Sequence, residues 1–102
     1  MKAMIAAAMS VALASAAQAT TVFINEIHYD NTGGDTGEFV EIAAPAGTDL
    51  TGWSVVFYNG SNGTTYGTQA LSGVIGDQAA GYGFATVNRS GIQNGSPDGL
   101  AL

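Results

Sequence analysis

The sequence predicts an all-β domain behind a short leader, and three observations carry the prediction. Short apolar runs alternate with clusters of turn residues along most of the chain. Its 15 Gly and 2 Pro all fall after residue 20, where they punctuate those runs. Beyond residue 20 apolar residues show almost no helical spacing.

The leader comes first. Met1-Lys2 is a short positive end, and residues 3–16 form a small apolar stretch without charge. Ala17-Gln18-Ala19 then supplies the small-x-small pattern read by signal peptidase, so cleavage is expected before Thr20. The apolar stretch is too short to hold a bilayer as a permanent helix, so no stable membrane insertion is expected. Residues 1–19 are read as a signal-peptide helix, and residues 20–102 as one exported domain, extracellular or periplasmic. The Ala-rich leader looks bacterial.

The strands follow in order. Residues 21–28 read as the first, and the polar, glycine-rich residues 29–37 as a loop. Residues 38–43 read as the second strand, with Val40 and Ile42 on one face and Glu41 on the other. Pro45-Ala46-Gly47 is expected to break it, because proline cannot donate to a ladder. Asp49-Leu50-Thr51-Gly52-Trp53 is a turn carrying two large apolar residues. Residues 53–59 form the third strand. Trp53, Val55 and Phe57 lie on one side and Val56 and Tyr58 on the other, as suits a strand central to a sandwich. Asn59-Gly60-Ser61-Asn62-Gly63 is a hairpin loop, since Asn-Gly steps readily supply positive φ. Residues 64–71 and 81–87 read as the fourth and fifth strands, and residues 91–99 as a loop. Leu100-Ala101-Leu102 begins another strand. With no turn or polar ending there, that strand is read as cut short.

Composition narrows the functional classes. The chain has 8 acidic and 2 basic residues, a formal charge of −6, and no cysteine. All the acidic residues lie beyond the leader, where Arg89 is the only Lys or Arg. Nucleic-acid affinity needs basic groups to displace counterions, so no direct nucleic-acid binding is expected. Without cysteine there are neither disulfide staples nor zinc ribbons.

Catalytic constellations are sparse. His28 is the single histidine, and it follows Glu26 on one face of the first strand. A hydrogen-bonded pair at a sheet end is favoured there over catalysis, because no nucleophile or third partner accompanies them. No serine sits in a nucleophile elbow. Glu38 and Glu41 are three apart on a strand and point to opposite faces, unlike a glycosidase pair. No catalytic residue is assigned to this chain. Asp30, Asn31, Asp35 and Glu38 form a candidate calcium loop, because a hard cation wants several oxygens on a flexible, glycine-containing segment. An ordinary solvated turn is the other reading. Trp53 with Leu50, Val55 and Phe57 reads as core. Tyr58, Tyr66 and Tyr82 read as amphipathic strand residues before ligand contacts. The Asn-x-Ser/Thr sequons at Asn59, Asn62 and Asn88 suit surface loops.

Three segments in order carry a family resemblance. They are Phe23-Ile24-Asn25-Glu26-Ile27-His28, Glu38-Phe39-Val40-Glu41-Ile42, and Asp49-Leu50-Thr51-Gly52-Trp53-Ser54. The chain resembles the opening of a lamin-tail domain, whose pattern is an Ile-Asn-Glu-Ile strand, a Glu-Phe-Val-Glu strand and a Leu-x-Gly-Trp turn. The likeness covers residues 22–75 and extends more loosely through residues 91–102. It implies an immunoglobulin-like β-sandwich whose closing strands lie beyond Leu102. It also implies Ile24, Val40, Ile42, Leu50 and Trp53 as core positions, and no agreed catalytic residue. In bacteria such domains often stand between a signal peptide and the catalytic domain of a secreted endonuclease/exonuclease/phosphatase-type enzyme. The expectation is a non-catalytic accessory module covalently joined to a hydrolase, with calcium the one cofactor suggested for the module itself. The alternative is a calcium-dependent structural or adhesive surface domain with no enzyme attached.

Overall fold

A computed structural model describes residues 21–102. The expected leader and its cleavage site at Ala17, Ala19 and Thr20 lie outside the described residues. The described chain forms six strands: β1 (Phe23–His28), β2 (Phe39–Pro45), β3 (Ser54–Asn59), β4 (Thr64–Ala70), β5 (Tyr82–Asn88) and β6 (Gly99–Ala101). They pair into two three-stranded sheets, ordered β1-β2-β5 and β4-β3-β6. Every pairing is antiparallel. No helix occurs among the described residues, and the architecture is that of a β-sandwich.

Each central strand carries the apolar alternation that its position demands. Val40 and Ile42 of β2 and Val55 and Phe57 of β3 are fully buried. Strands with partners on both sides need apolar side chains pointing to the opposite sheet. Leu50, Leu71, Ile75, Val87 and Ile92 join the same core. Ile24 and Trp53 are partly buried and pack against it. Burying each large side chain contributes about 1.5–3 kcal/mol, so these residues dominate the cohesion of the two sheets.

Two local devices set the register. A bulge interrupts β1 between Ile24 and Glu26. Ile24 pairs with Ile42 and Ile27 with Val40, so both isoleucines follow buried partners although they stand three residues apart. The extra residue shifts the strand's phase, as bulges do. The β3–β4 hairpin is held by its own asparagines. Asn59 Oδ1 accepts from Ser61 N at 3.0 Å, and Asn62 Oδ1 accepts from Thr64 N at 3.0 Å. Gly63, at φ 69°, donates its N–H to Asn59 O at 2.8 Å. Only the Asn62-Gly63 step supplies the expected positive φ; Gly60 does not adopt it and instead lies against Pro97.

Strand limits differ from the sequence expectation by a residue or two. β2 continues through Pro45, which pairs with Tyr82 beyond the last β1–β2 pair at Ala43. Its carbonyl then accepts from Thr48 N at 3.1 Å and from Thr48 Oγ1 at 2.7 Å. Proline thus ends the strand at a position where it still serves as an acceptor for the turn.

Candidate functional site

The two sheets leave one side of the sandwich open. β1 pairs only with β2, and β6 pairs only with β3. Between these two strand edges lies a cleft of about 530 Å³. Ile24 and Ile27 form its β1 wall, Leu100 its β6 wall, and residues 92–99 its floor and rim. Ile27 remains 39% exposed and Tyr29 46%, so the β1 wall is an uncovered apolar edge. A mostly apolar concavity with a few polar groups around it is the usual form of a binding site.

The crossing loop between β5 and β6 is fixed at three points. Glu38 is 5% exposed, and its carboxylate accepts Gly91 N at 2.9 Å and Ile92 N at 2.8 Å. The Glu38 carbonyl also accepts Arg89 N at 3.1 Å. Gln93 N donates to the Tyr66 hydroxyl at 2.9 Å. Asp98 Oδ1 accepts Gly60 N at 2.9 Å, and Pro97 packs so closely on Gly60 that a Cβ there would overlap its carbonyl. A buried carboxylate requires such partners, because an unpaired charge would not survive in the interior. Between these anchors, Asn94, Gly95 and Ser96 stay exposed.

Glu38 is therefore turned into the domain and holds backbone. The other candidate calcium ligands form a separate cluster. Asn31 Nδ2 donates to Thr36 O at 2.6 Å, and Asn31 N donates to Asp35 Oδ1 at 3.3 Å. Asp30 is exposed beside them. Among the described residues no group of three His, Cys, Asp or Glu side chains is placed to hold a metal ion. The loop's polar groups are used as turn closures, as Asx side chains commonly are.

His28 finds a different partner from the one expected. Its Nε2 lies 3.0 Å from Asn31 Oδ1, and its ring stacks on Phe39 at 5.5 Å between centroids. Glu26 instead faces Glu41 across the β1–β2 pair. Glu41 accepts Asn25 Nδ2 at 2.7 Å, so the bulged residue supplies a donor beside two carboxylates. Like charges directly opposite are otherwise unfavourable.

Arg89 plays a part that its lone positive charge does not announce. Its guanidinium lies 4.6 Å from the Phe57 ring centroid and 5.6 Å from that of Tyr66. Nη2 donates to Tyr66 O at 3.4 Å, while Nε is buried without a partner among the described residues. Gly67 makes room for it, since a Cβ at that position would overlap the guanidinium. Arginine over aromatic faces is a favourable arrangement that also buries its stem. Arg89 thereby ties β5 of one sheet to β4 of the other.

The sequence reading placed neither Ile27 nor the loop from Ile92 to Asp98 at a site, and it named Tyr66 and Arg89 without joining them. Arg89 and Tyr66 each stood out as a residue type, but their meeting joins different sheets. The available signal was the single Arg beyond the leader, following an apolar strand in a domain with no other Lys or Arg. Comparison with protein-family models, with curated proteins and with solved structures returned no match.

Proposed function

We propose that this domain is a non-catalytic docking module of the lamin-tail kind, an immunoglobulin-like sandwich near the N-terminus of a secreted bacterial protein. The observation that carries this reading is the apolar cleft between the free edges of β1 and β6. A free edge offers unpaired backbone groups, and an apolar wall beside it offers area to bury. Together they suit contact with another folded unit. The family resemblance supplies the nature of that unit by analogy: a hydrolase, namely a metal-dependent nuclease or phosphodiesterase whose catalytic groups lie in chain beyond Leu102. The acidic domain would space or dock that enzyme and would leave nucleic-acid contact to it.

The test is to read the coding sequence past codon 102 and express its whole product. The expected product carries a catalytic domain and cleaves DNA when supplied with a divalent metal. Residues 20–102 alone should show no turnover. A stop codon directly after codon 102, or metal-dependent cleavage by this domain alone, overturns the reading.

A further inference from the structure

We propose that Asn94 is a site of spontaneous deamidation that the fold singles out from three Asn-Gly steps. The steps are Asn59-Gly60, Asn62-Gly63 and Asn94-Gly95, and the first and last belong to the same tripeptide, Asn-Gly-Ser. Glycine leaves its backbone nitrogen unhindered by a side chain, so each step is chemically competent.

The reaction needs that nitrogen to turn toward the asparagine's own side chain. The glycine N gives up its proton to solvent base, and its lone pair forms a bond to the asparagine Cγ. The Cγ–N bond of the side-chain amide breaks, and the nitrogen leaves as ammonia. Water then opens the cyclic imide at either carbonyl, giving aspartate or isoaspartate.

Only one of the three nitrogens is left free to move. Gly60 N donates to Asp98 Oδ1 at 2.9 Å, and its Cα is wedged against Pro97. The Asn59 side chain is also engaged, through Ser61 N at 3.0 Å and Ser61 Oγ at 2.6 Å. Gly63 N donates to Asn59 O at 2.8 Å inside the hairpin. The Asn62 side chain is held by Thr64 N at 3.0 Å and Thr64 Oγ1 at 2.7 Å. Gly95 N donates to no described residue, and neither Asn94 nor Gly95 is buried. The Asn94 side chain likewise has no partner among the described residues. It lines the cleft, so its conversion adds a carboxylate to the rim that already holds Asp98.

The test follows all three sites by peptide mapping and mass spectrometry while the full chain stands in mildly alkaline buffer. The same chain in strong urea provides the comparison. In buffer, the mass change from amide to acid should accumulate at Asn94 several-fold ahead of Asn59 and Asn62, with both aspartate and isoaspartate forms. In urea the two Asn-Gly-Ser tripeptides should convert at closely similar rates. Equal rates at Asn94 and Asn59 in buffer overturn the proposal. So does an Asn94 preference that persists undiminished in urea, which would place its cause outside the fold.

Discussion

The two long sides of the sandwich are built differently, although each is a seam between a strand of one sheet and a strand of the other. On the β4–β5 side, Arg89 reaches from the end of β5 across Phe57 and Tyr66. The connection between β4 and β5 then lays Leu71 and Ile75 into the core. What remains open there is a groove of about 360 Å³. On the β1–β6 side no side chain among the described residues plays the part of Arg89, and the cleft is about 530 Å³. A seam closes when a side chain or a connection contacts both sheets. The first seam has both devices, whereas the second has a loop that crosses one end and is pinned to Glu38, Tyr66 and Gly60.

The largest expected effect comes from releasing that loop. Glu38→Ala leaves the N–H groups of Gly91 and Ile92 without their carboxylate, at a cost of about 2–4 kcal/mol. Glu38→Gln keeps the volume and one acceptor oxygen and should lose roughly half as much. Urea unfolding of the two variants reads the difference. Equal losses would mean that the side chain's volume contributes little and that both carboxylate oxygens are needed together.

Breaking the closed seam comes next. Arg89→Ala removes two cation–π contacts and the stem packed with them, a loss of about 1–2 kcal/mol. Gly67→Ala should destabilise through the same contact, since the added methyl displaces the guanidinium. The pair provides a double-mutant cycle: with Arg89 already truncated, Gly67→Ala should cost markedly less. Additive losses would place the Gly67 effect elsewhere.

Changes on the open seam should hardly register in stability. Ile27→Asp alters a residue already 39% exposed, so unfolding should shift by no more than about 0.5 kcal/mol. If docking through this cleft occurs in the whole product, the same substitution should weaken it while leaving the domain folded. A large loss in the isolated domain would show Ile27 to be core, and the two seams to be less different than their geometry indicates.

How much of this was legible in the sequence depends on the range of the interaction. β3 could be read because Val55, Val56, Phe57 and Tyr58 make it apolar on both faces, a signal carried within one strand. The hairpin could be read because Asn59 and Asn62 act on residues only two positions away. β1 misleads strict alternation, which would set Ile24 on the face of Glu26 and His28; the bulge moves it to the face of Ile27. Glu38 looked like a cation ligand because its local company is polar. Its actual partners, Gly91 and Ile92, lie 53 and 54 positions away and meet it only after both sheets form. Arg89 is similar: a charge count registers it, but only the stacking of two sheets brings Tyr66 and Phe57 beneath it.

The smallest effect compares the same chemistry at two depths. Like Glu38, Asp49 uses a carboxylate to hold backbone, accepting Thr51 N at 2.9 Å, but it is exposed. Its turn meets the closed seam, since Asp49 bridges to Val74 and Leu50 N donates to Gly73 O at 2.9 Å. Hydrogen bonds from the Thr51 backbone and side chain hold the Asp49 carboxyl below its ordinary range. A carboxyl whose folded-state value is depressed stabilises the fold above its unfolded-state value. That contribution is lost as pH falls through the folded-state value. Asp49→Asn keeps an acceptor oxygen but does not titrate, so the wild-type advantage over the variant should shrink as pH drops through the acid side of the carboxylate range. Solvent around an exposed group keeps the change small. Thermal midpoints of both proteins across that range read it, and a difference that stays constant or widens on acidification would detach Asp49 from the turn it caps.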